Sequence, residues 1–455
     1  MRALGCVVLA VLIAVMPLRP AAAQGVPLIR DAEIETYLHD LAAPIFRVAG
    51  IPPDSVRIYI VNDPSLNAFV AGGMNMFFHT GLLMRTQQPG QLLGVIAHET
   101  GHIAGGHLAR SGEASTRAAA EMILAAILGV AAGVATGSGD VTGAILAGGQ
   151  TYALTNLARY SRSQEQAADH AGVSYLDELG LSSEGLANFL QILEDDNILR
   201  TQPPPYLMSH PLTRDRVAFV RRHADDPNSP KGEVGKELLE EHARMRAKLV
   251  GFMQAPASVL ASTPDDGSLP NRYARTIALY RKPDLPSALA SVDQLIAQRP
   301  DDAFFHELKG QMLFENGRVA QAEQPYVDAL RLHPDEALFQ LALGQIRNEL
   351  GQPDDLRRAV GNLREAVRLE PQNPTAWRTL GIALGRQGDT TEADLALAES
   401  ALLVRRIGDA ELYMRRAERS VQTGDRNWLH LQDLQRDLAD AKADQQENPD
   451  HYRER

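Results

Sequence analysis

A five-residue motif, His98-Glu99-Thr100-Gly101-His102, is the clearest sign of chemistry in this sequence. Residues four apart on an α-helix lie about 40° apart around its axis, so His98 and His102 can bind one metal ion from the same face. Neutral imidazoles are typical zinc ligands, and Glu99 lies where its carboxylate can reach a water molecule at the metal.

Apolar residues directly before the motif indicate that its helix is buried. They are Leu92, Leu93, Val95 and Ile96. The alternative is an ordinary polar helix at the surface. Two histidines and a glutamate inside a buried helix would be costly without a metal ion, so we predict a metal centre with one zinc ion per chain.

A catalytic zinc needs a third protein ligand, and Glu165 is the best candidate. Glu165 and Asp169 share one helix face, so Glu165 can bind the metal while Asp169 accepts a hydrogen bond from a ligand imidazole. Ala168 and Gly172 are small enough to let this helix approach the motif helix closely. Without the histidine motif, an ordinary solvated acidic face would be the better interpretation.

The pattern of apolar residues around these motifs predicts a mixed α/β domain over 24–224. Helical spacing of apolar residues is seen for Ile34, Leu38, Leu41 and Ile45. A strand is predicted at 56–61, and two short strands, 67–70 and 74–78, surround a pair of glycines. We expect the 74–78 strand to pair with an extended substrate.

The C-terminal half is predicted to be a helical repeat array. A linker and a connecting helix near 236–250 occupy 225–271, the array spans 272–440, and a charged, disordered tail follows at 441–455. Three residue series recur at intervals of 34 and then 37 residues: Pro300, Pro334 and Pro371; Gly310, Gly344 and Gly381; Gly317, Gly351 and Gly388. This period is typical of tetratricopeptide repeats, which stack into a solenoid that holds protein segments or acts as a spacer.

Composition excludes several classes of protein. The 455 residues carry a net charge of −12, which argues against nucleic acid as a partner. The single cysteine, Cys6, lies in an N-terminal segment with the pattern of a cleaved export signal, 1–23, so disulfides, thiol catalysis and cysteine-bound zinc are excluded from the mature chain. The pattern favours the periplasm of a Gram-negative bacterium.

The spaced motifs resemble those of the CAAX-prenyl-protease/HtpX superfamily of zinc metallopeptidases. They are His98 to His102, the Glu165…Asp169 pair, and Ser209-His210-Pro211 followed by Arg216. The resemblance implies an α+β zincin-like domain, zinc held by His98, His102 and Glu165, and Glu99 as general base. Arg216 is expected to contact the substrate or the transition state.

His210 has three possible roles. The resemblance implies that it can occupy the open position of the zinc ion as a regulatory fourth ligand. It can equally be a loop histidine near the cleft or a group that stabilises the transition state. His107 is predicted to be structural because a continuous helix would place it about 180° from His98, and His79 and His170 are read as plain polar residues.

Two functions remain open after the sequence alone. The chain combines an export signal, metallopeptidase motifs and repeats, and in this it resembles superfamily members that act in outer-membrane protein quality control. The resemblance implies that it degrades unfolded or stalled outer-membrane proteins and binds the assembly machinery through the repeats. The alternative is a chaperone or scaffold with an autoinhibited zinc site. Residues 118–150 predict either a helical hairpin that touches the membrane surface or a buried alanine-rich helix pair.

Overall fold

The structure is a computed structural model that describes residues 28–107, 160–198 and 205–447. The predicted export signal and the segment 118–150 lie outside the described residues. An α+β domain with a four-stranded sheet comes first and is followed by an all-helical solenoid. None of the helices in the described ranges combines the length and the apolar character needed to cross a membrane.

The sheet contains β1 (Leu28–Ile29), β2 (Arg57–Val61), β3 (Ala68–Ala71) and β4 (Asn75–His79), in the order β1-β2-β4-β3. β4 pairs in parallel with β2 on one side and antiparallel with β3 on the other.

The expectation that the 74–78 strand pairs with substrate is therefore wrong. Both edges of β4 are already used, and an added strand needs a free edge. Gly72 and Gly73, with φ of +59° and +91°, turn the chain so that β3 runs back along β4 and becomes the outer strand. Among the described residues, the outer edge of β3 carries no further strand.

Seven helices complete the described part of this domain. They are α1 (Ala32–Val48), α2 (Thr80–Arg85), α3 (Pro89–Ala104), α4 (Arg162–Glu178), α5 (Glu184–Ile198), α6 (Pro205–Ser209) and α7 (Arg214–Asp225). The predicted apolar stripe of α1 is buried in the main core, as are the four apolar residues that precede the histidine motif on α3.

Small residues let α3 and α4 pack backbone against backbone. A Cβ atom on Gly101 of α3 would lie 2.8 Å from the carbonyl oxygen of Ala168, and one on Gly172 of α4 would lie 3.1 Å from the backbone nitrogen of His98. The predicted close approach is thus confirmed, and it brings the acidic face of α4 to the histidine face of α3.

α8 (Lys236–Met253) connects the two regions and corresponds to the connecting helix predicted near 236–250. It is followed by α9 (Pro256–Ser262). Met245 and Leu249 of α8 belong to the core of the first domain. Charged and polar side chains from α1, α8 and the first repeats form a buried group that we call the interface cluster. Its members are Asp31, Glu33, Arg244, Lys248, Tyr273 and Asp302.

The solenoid is a series of packed antiparallel helices. They are α10 (Leu269–Arg281), α11 (Leu285–Gln298), α12 (Ala303–Glu315), α13 (Val319–Leu332), α14 (Ala337–Leu350), α15 (Pro353–Leu369), α16 (Pro374–Gln387), α17 (Thr390–Leu403), α18 (Ile407–Glu418) and α19 (Arg426–Glu447).

The repeating glycines have two structural causes. A Cβ atom on Gly310, Gly344 or Gly381 would lie 2.5–2.7 Å from a side-chain atom of the next helix. Gly351 and Gly388 end their helices in the left-handed conformation, with φ of +74° and +97°, which glycine adopts without strain.

The end of the solenoid differs from the prediction. α19 continues to Glu447, seven residues into the predicted disordered tail, because Leu431, Leu434 and Ala441 are buried along one face of this helix. Residues 448–455 lie outside the described residues.

Candidate metal centre

Three helices and one loop enclose the polar side chains of the predicted centre. α3 contributes His98, Glu99 and His102, α4 contributes Glu165, and His210 follows α6; each is at most 1% exposed. The first turn of α4 is fixed by a capping box, in which the Ser161 hydroxyl accepts from the backbone N–H of Gln164 and the Gln164 side chain returns to the backbone of Ser161.

Four potential ligands converge on one point. One ligand atom from each of His98, His102, Glu165 and His210 lies within 4.8 Å of the others. The Nε2 atoms of His98 and His102 are 3.2 Å apart, and Glu165 Oε1 lies 3.3 Å from His102 Nε2 and 3.0 Å from His210 Nδ1.

The pairwise separations of 3.0–3.3 Å are close to those of a tetrahedral metal site. Bonds of about 2.0–2.2 Å place the ligand atoms of such a site about 3.3–3.6 Å from one another. Burial holds the pKa of His102 well below its usual value, so its imidazole is neutral, as a metal ligand must be. His210 Nδ1 also lies 3.4 Å from Nε2 of His98, so His210 is a candidate fourth ligand.

Glu99 is the one carboxylate of the centre that has no hydrogen-bond partner. Neither of its side-chain oxygens is bonded within the described residues, and its Oε1 lies 3.5 Å from His210 Nε2. Burial raises the pKa of Glu99 above its usual value. A carboxylate with a raised pKa and free oxygens is suited to accept and return a proton.

Glu165 and Asp169 are held by one guanidinium group. Arg216 bonds both oxygens of Asp169 at 2.6 and 2.8 Å, and its Nη1 lies 2.5 Å from Glu165 Oε2. Asp169 Oδ1 in turn lies 2.9 Å from His98 Nδ1. Burial works against ionisation of Asp169, but Arg216 and His98 lower its pKa to about 2. These contacts favour a role for Arg216 in orienting the ligands over the predicted contact with substrate.

Sequence reasoning placed His107 wrongly. α3 ends at Ala104, and Gly106, with φ of +59°, reverses the chain so that His107 folds back to the centre. Its Nδ1 lies 3.0 Å from Nδ1 of His102. The consecutive glycines Gly105 and Gly106 were the signal that the helix ends.

Two tyrosines that sequence reasoning missed lie against ligand rings. Tyr160 stacks on His102 with ring centroids 3.7 Å apart, and Tyr206 stacks on His210 at 4.4 Å. The Tyr160 hydroxyl also donates a hydrogen bond of 3.4 Å to the carbonyl of Val70 in β3.

The two histidines read as plain polar residues do not belong to the group of candidate ligands. His79 is buried beside Ser65, with 2.9 Å between its Nδ1 and the hydroxyl, and His170 packs against Phe219. No other group in the described ranges brings enough His, Asp or Glu side chains together to hold a metal ion.

Both regions match models of known protein families. The model of peptidase family M48 matches residues 29–224, and that of the tetratricopeptide repeat matches 273–337 and 354–411. These matches confirm the predicted fold class, an α+β metallopeptidase domain followed by an all-α solenoid.

The curated proteins that are similar to the chain include three from two bacterial species. A beta-barrel assembly-enhancing protease of Yersinia pestis is 27% identical over 83% of this chain and 77% of that protein. The protein of the same name from Escherichia coli (strain K12) is 24% identical over 92% and 84%, respectively. Metalloprotease YcaL of Escherichia coli (strain K12) is 30% identical over 37% of this chain and 61% of that protein.

Proposed function

Because the chain joins a peptidase family M48 domain to tetratricopeptide repeats, we propose that it is a periplasmic zinc endopeptidase that acts in the assembly and quality control of outer-membrane proteins. The names of the two relatives that span most of the chain support the β-barrel role. The observation that carries the enzymatic part is the convergence of four buried ligand atoms beside the unpaired carboxylate of Glu99.

The donor set favours zinc. His98, His102 and Glu165 offer two neutral nitrogens and one carboxylate oxygen, which is a common catalytic zinc set. Bound zinc would supply a Lewis acid that polarises the substrate carbonyl and acidifies water. Asp169 and Arg216 fix the ligands in place, so the site needs little reorganisation when it binds the metal.

Glu99 performs the proton transfers in the proposed reaction. Its carboxylate takes a proton from the water that attacks the peptide carbonyl and passes it to the leaving nitrogen. Burial raises the pKa of Glu99 towards neutral pH, and a group with such a pKa can both accept and return the proton efficiently.

The outer edge of β3 offers the place for an extended substrate. The Asn67 carbonyl accepts a hydrogen bond from the backbone N–H of His79 in β4. In an antiparallel pair every second residue bonds the partner strand, so Val70, three residues after Asn67, directs its backbone N–H and carbonyl away from β4. Tyr160 already donates to the carbonyl of Val70. A substrate strand therefore has to displace the tyrosine hydroxyl.

His210 would regulate access to the metal. Its Nδ1 lies 3.0 Å from Glu165 Oε1 and 3.4 Å from His98 Nε2, so as a fourth ligand it would take the place of water, and the loop that carries it would have to withdraw before hydrolysis. If His210 blocks the site, His210→Ala will raise the peptidase rate. An unchanged rate would leave a loop histidine without a switch role, and a lost rate would favour transition-state stabilisation.

The solenoid would bind the protein substrates or the assembly machinery. It is joined to the peptidase domain by the interface cluster and by an ion pair of 2.6 Å between Arg30 and Glu370, so a chain bound on the repeats lies close to the proteolytic domain.

The decisive experiment compares wild type with Glu99→Gln on a urea-unfolded β-barrel outer-membrane protein. The change keeps the ligands and removes the base, so zinc content should be equal while the cleavage rate falls about 10²- to 10⁴-fold. Glu184→Gln, at an exposed position of α5, is the matched control and should cleave like wild type.

The position of His210 among the candidate ligands also favours a second candidate function, that of a chaperone or scaffold with a closed zinc site. If wild type and His210→Ala both leave the substrate intact but keep it from aggregating, this second function replaces the first.

A further inference from the structure

The two histidine ligands of the motif are held from behind by different partners. His98 directs Nε2 to the centre, and its outer nitrogen, Nδ1, faces a carboxylate oxygen of Asp169 at 2.9 Å. His102 also directs Nε2 to the centre, but its Nδ1 faces Nδ1 of His107 at 3.0 Å. One ligand is thus backed by an anion and the other by a second imidazole.

The turn after α3 is built to hold the ring of His107. A Cβ atom at Gly105 would lie 2.5 Å from Nε2 of His107, so any larger residue there would push the ring from its place. The backbone carbonyl of His107 accepts a hydrogen bond of 3.2 Å from the side chain of Gln164 in α4, and the residue is 5% exposed. Both helices of the centre therefore fix this histidine.

The proton count of the pair is determined by the metal. A neutral imidazole that binds a metal through Nε2 carries its proton on Nδ1, so His102 has to donate toward His107. Nδ1 of His107 must then be unprotonated and act as the acceptor. Unlike the carboxylate behind His98, this acceptor adds no negative charge to the centre.

We propose that His107 is a positioning residue that fixes the ring orientation and the proton position of His102, and thereby sets the affinity of the centre for its metal ion. The proposal deepens the proposed zinc site and does not depend on what the peptidase cleaves. Partners of this kind change metal affinity by about 10- to 100-fold when they are removed.

The test uses the full-length chain and Zn²⁺ alone, with affinity measured by competition against a chromogenic chelator. His107→Leu fills the space without an acceptor and should bind zinc about 10- to 100-fold more weakly than wild type. His107→Asn places an amide oxygen where Nδ1 lies and should restore affinity to within about threefold. His306→Leu, in α12 of the solenoid, is the control and should bind like wild type.

Two results would overturn the proposal. Wild-type affinity in His107→Leu would show that the contact does not matter, and an equal loss in the leucine and asparagine variants would assign the effect to ring packing. Wild type that binds zinc but cleaves no protein would contradict the peptidase function and leave these comparisons intact.

A direct measurement covers the case in which His107→Leu fails to fold. In zinc-loaded wild type labelled with ¹⁵N-histidine, the hydrogen bond predicts a scalar coupling between Nδ1 of His102 and Nδ1 of His107. A proton on Nδ1 of His107, or a ligand nitrogen other than Nε2 in His102, would contradict the proposal.

Discussion

The metal centre and the interface cluster are both built from buried charged side chains, but they pair those charges differently. In the interface cluster each charged group has an ion-pair partner, although Nε of Arg244 makes no hydrogen bond: Arg244 contacts Glu33 at 2.8 Å and Asp302 at 2.5 Å, and Lys248 contacts Asp31 at 2.8 Å. In the metal centre, both oxygens of Glu99 and Nε2 of His210 have no hydrogen-bond partner within the described residues.

The protonation equilibria follow the same division. Burial works against the charged forms in both places, yet Lys248 and Arg244 hold the pKa of Glu33 below its usual value, and the surrounding acids hold the pKa of Lys248 well above its usual value. At the centre, burial dominates and raises the pKa of Glu99. In the interface cluster, ion pairs stabilise the charged forms of the side chains. In the centre, the carboxylate of Glu99 has no such partner and is available for a reaction.

The largest effect that separates the two regions concerns stability. Lys248→Met removes the positive partner of Asp31 and Glu33 and leaves buried negative charge, so we expect a loss of about 3–5 kcal/mol in the free energy of unfolding, measured by urea denaturation. Glu99→Gln, measured without metal, should cost no stability because its oxygens make no hydrogen bond. Equal losses in the two variants would remove the distinction.

A second prediction concerns pH and the helix that carries the interface cluster. On α8, His242 is buried between the Tyr37 hydroxyl at 2.7 Å and the Thr86 carbonyl at 2.8 Å, and burial lowers its pKa to about 4. An unfolded histidine titrates near pH 6.5, so the unfolded chain binds the proton first, and stability that is complete above pH 6.5 is lost as the pH falls towards 4.

We expect this histidine to account for a loss of about 2 kcal/mol between pH 7 and pH 5 and about 3 kcal/mol by pH 4. His242→Gln can keep both hydrogen bonds but cannot titrate. Urea denaturation of the two proteins across this range should therefore show a flatter pH dependence for the variant, and parallel curves would contradict the assignment.

Metal removal tests the other side of the comparison. Zinc at about 100 times its dissociation constant should stabilise the chelator-treated protein by about 2.7 kcal/mol, because the unfolded chain lacks the assembled site. Lys248→Met should gain the same increment from zinc, since its contacts and those of the centre involve different residues. A smaller increment in this variant would show that the two clusters are energetically coupled.

Sequence patterns could predict the centre because helical spacing is local. The positions of His98, His102, Glu165 and Asp169 on two helices follow from intervals of four residues. The interface cluster could not be read this way, since Tyr273 bonds Glu33 across 240 residues and their pairing depends on the packing of two domains.

Two further features depended on backbone geometry that residue spacing does not specify. Reading α3 as continuous put His107 on the far side, whereas the turn at Gly105 and Gly106 returns it to His102. The strand at 74–78 was recognised, but its place between β2 and β3 depends on pairing with a strand from earlier in the chain.

The smallest predicted effect concerns the link between the centre and the edge of the sheet. Tyr160→Phe keeps the stacked ring on His102 but removes the hydroxyl that donates to the Val70 carbonyl. A single hydrogen bond of this kind contributes about 0.5–1.5 kcal/mol, so a substrate that no longer has to displace it should bind about 2- to 10-fold more tightly. The gain should appear as a lower KM on an extended peptide, with kcat and zinc affinity unchanged.

Tyr206→Phe, which keeps the stacking on His210, is the matched control. A lower kcat for Tyr160→Phe at constant KM would instead place the hydroxyl at the reacting atoms, and would make Tyr160 part of the centre that Glu99 serves.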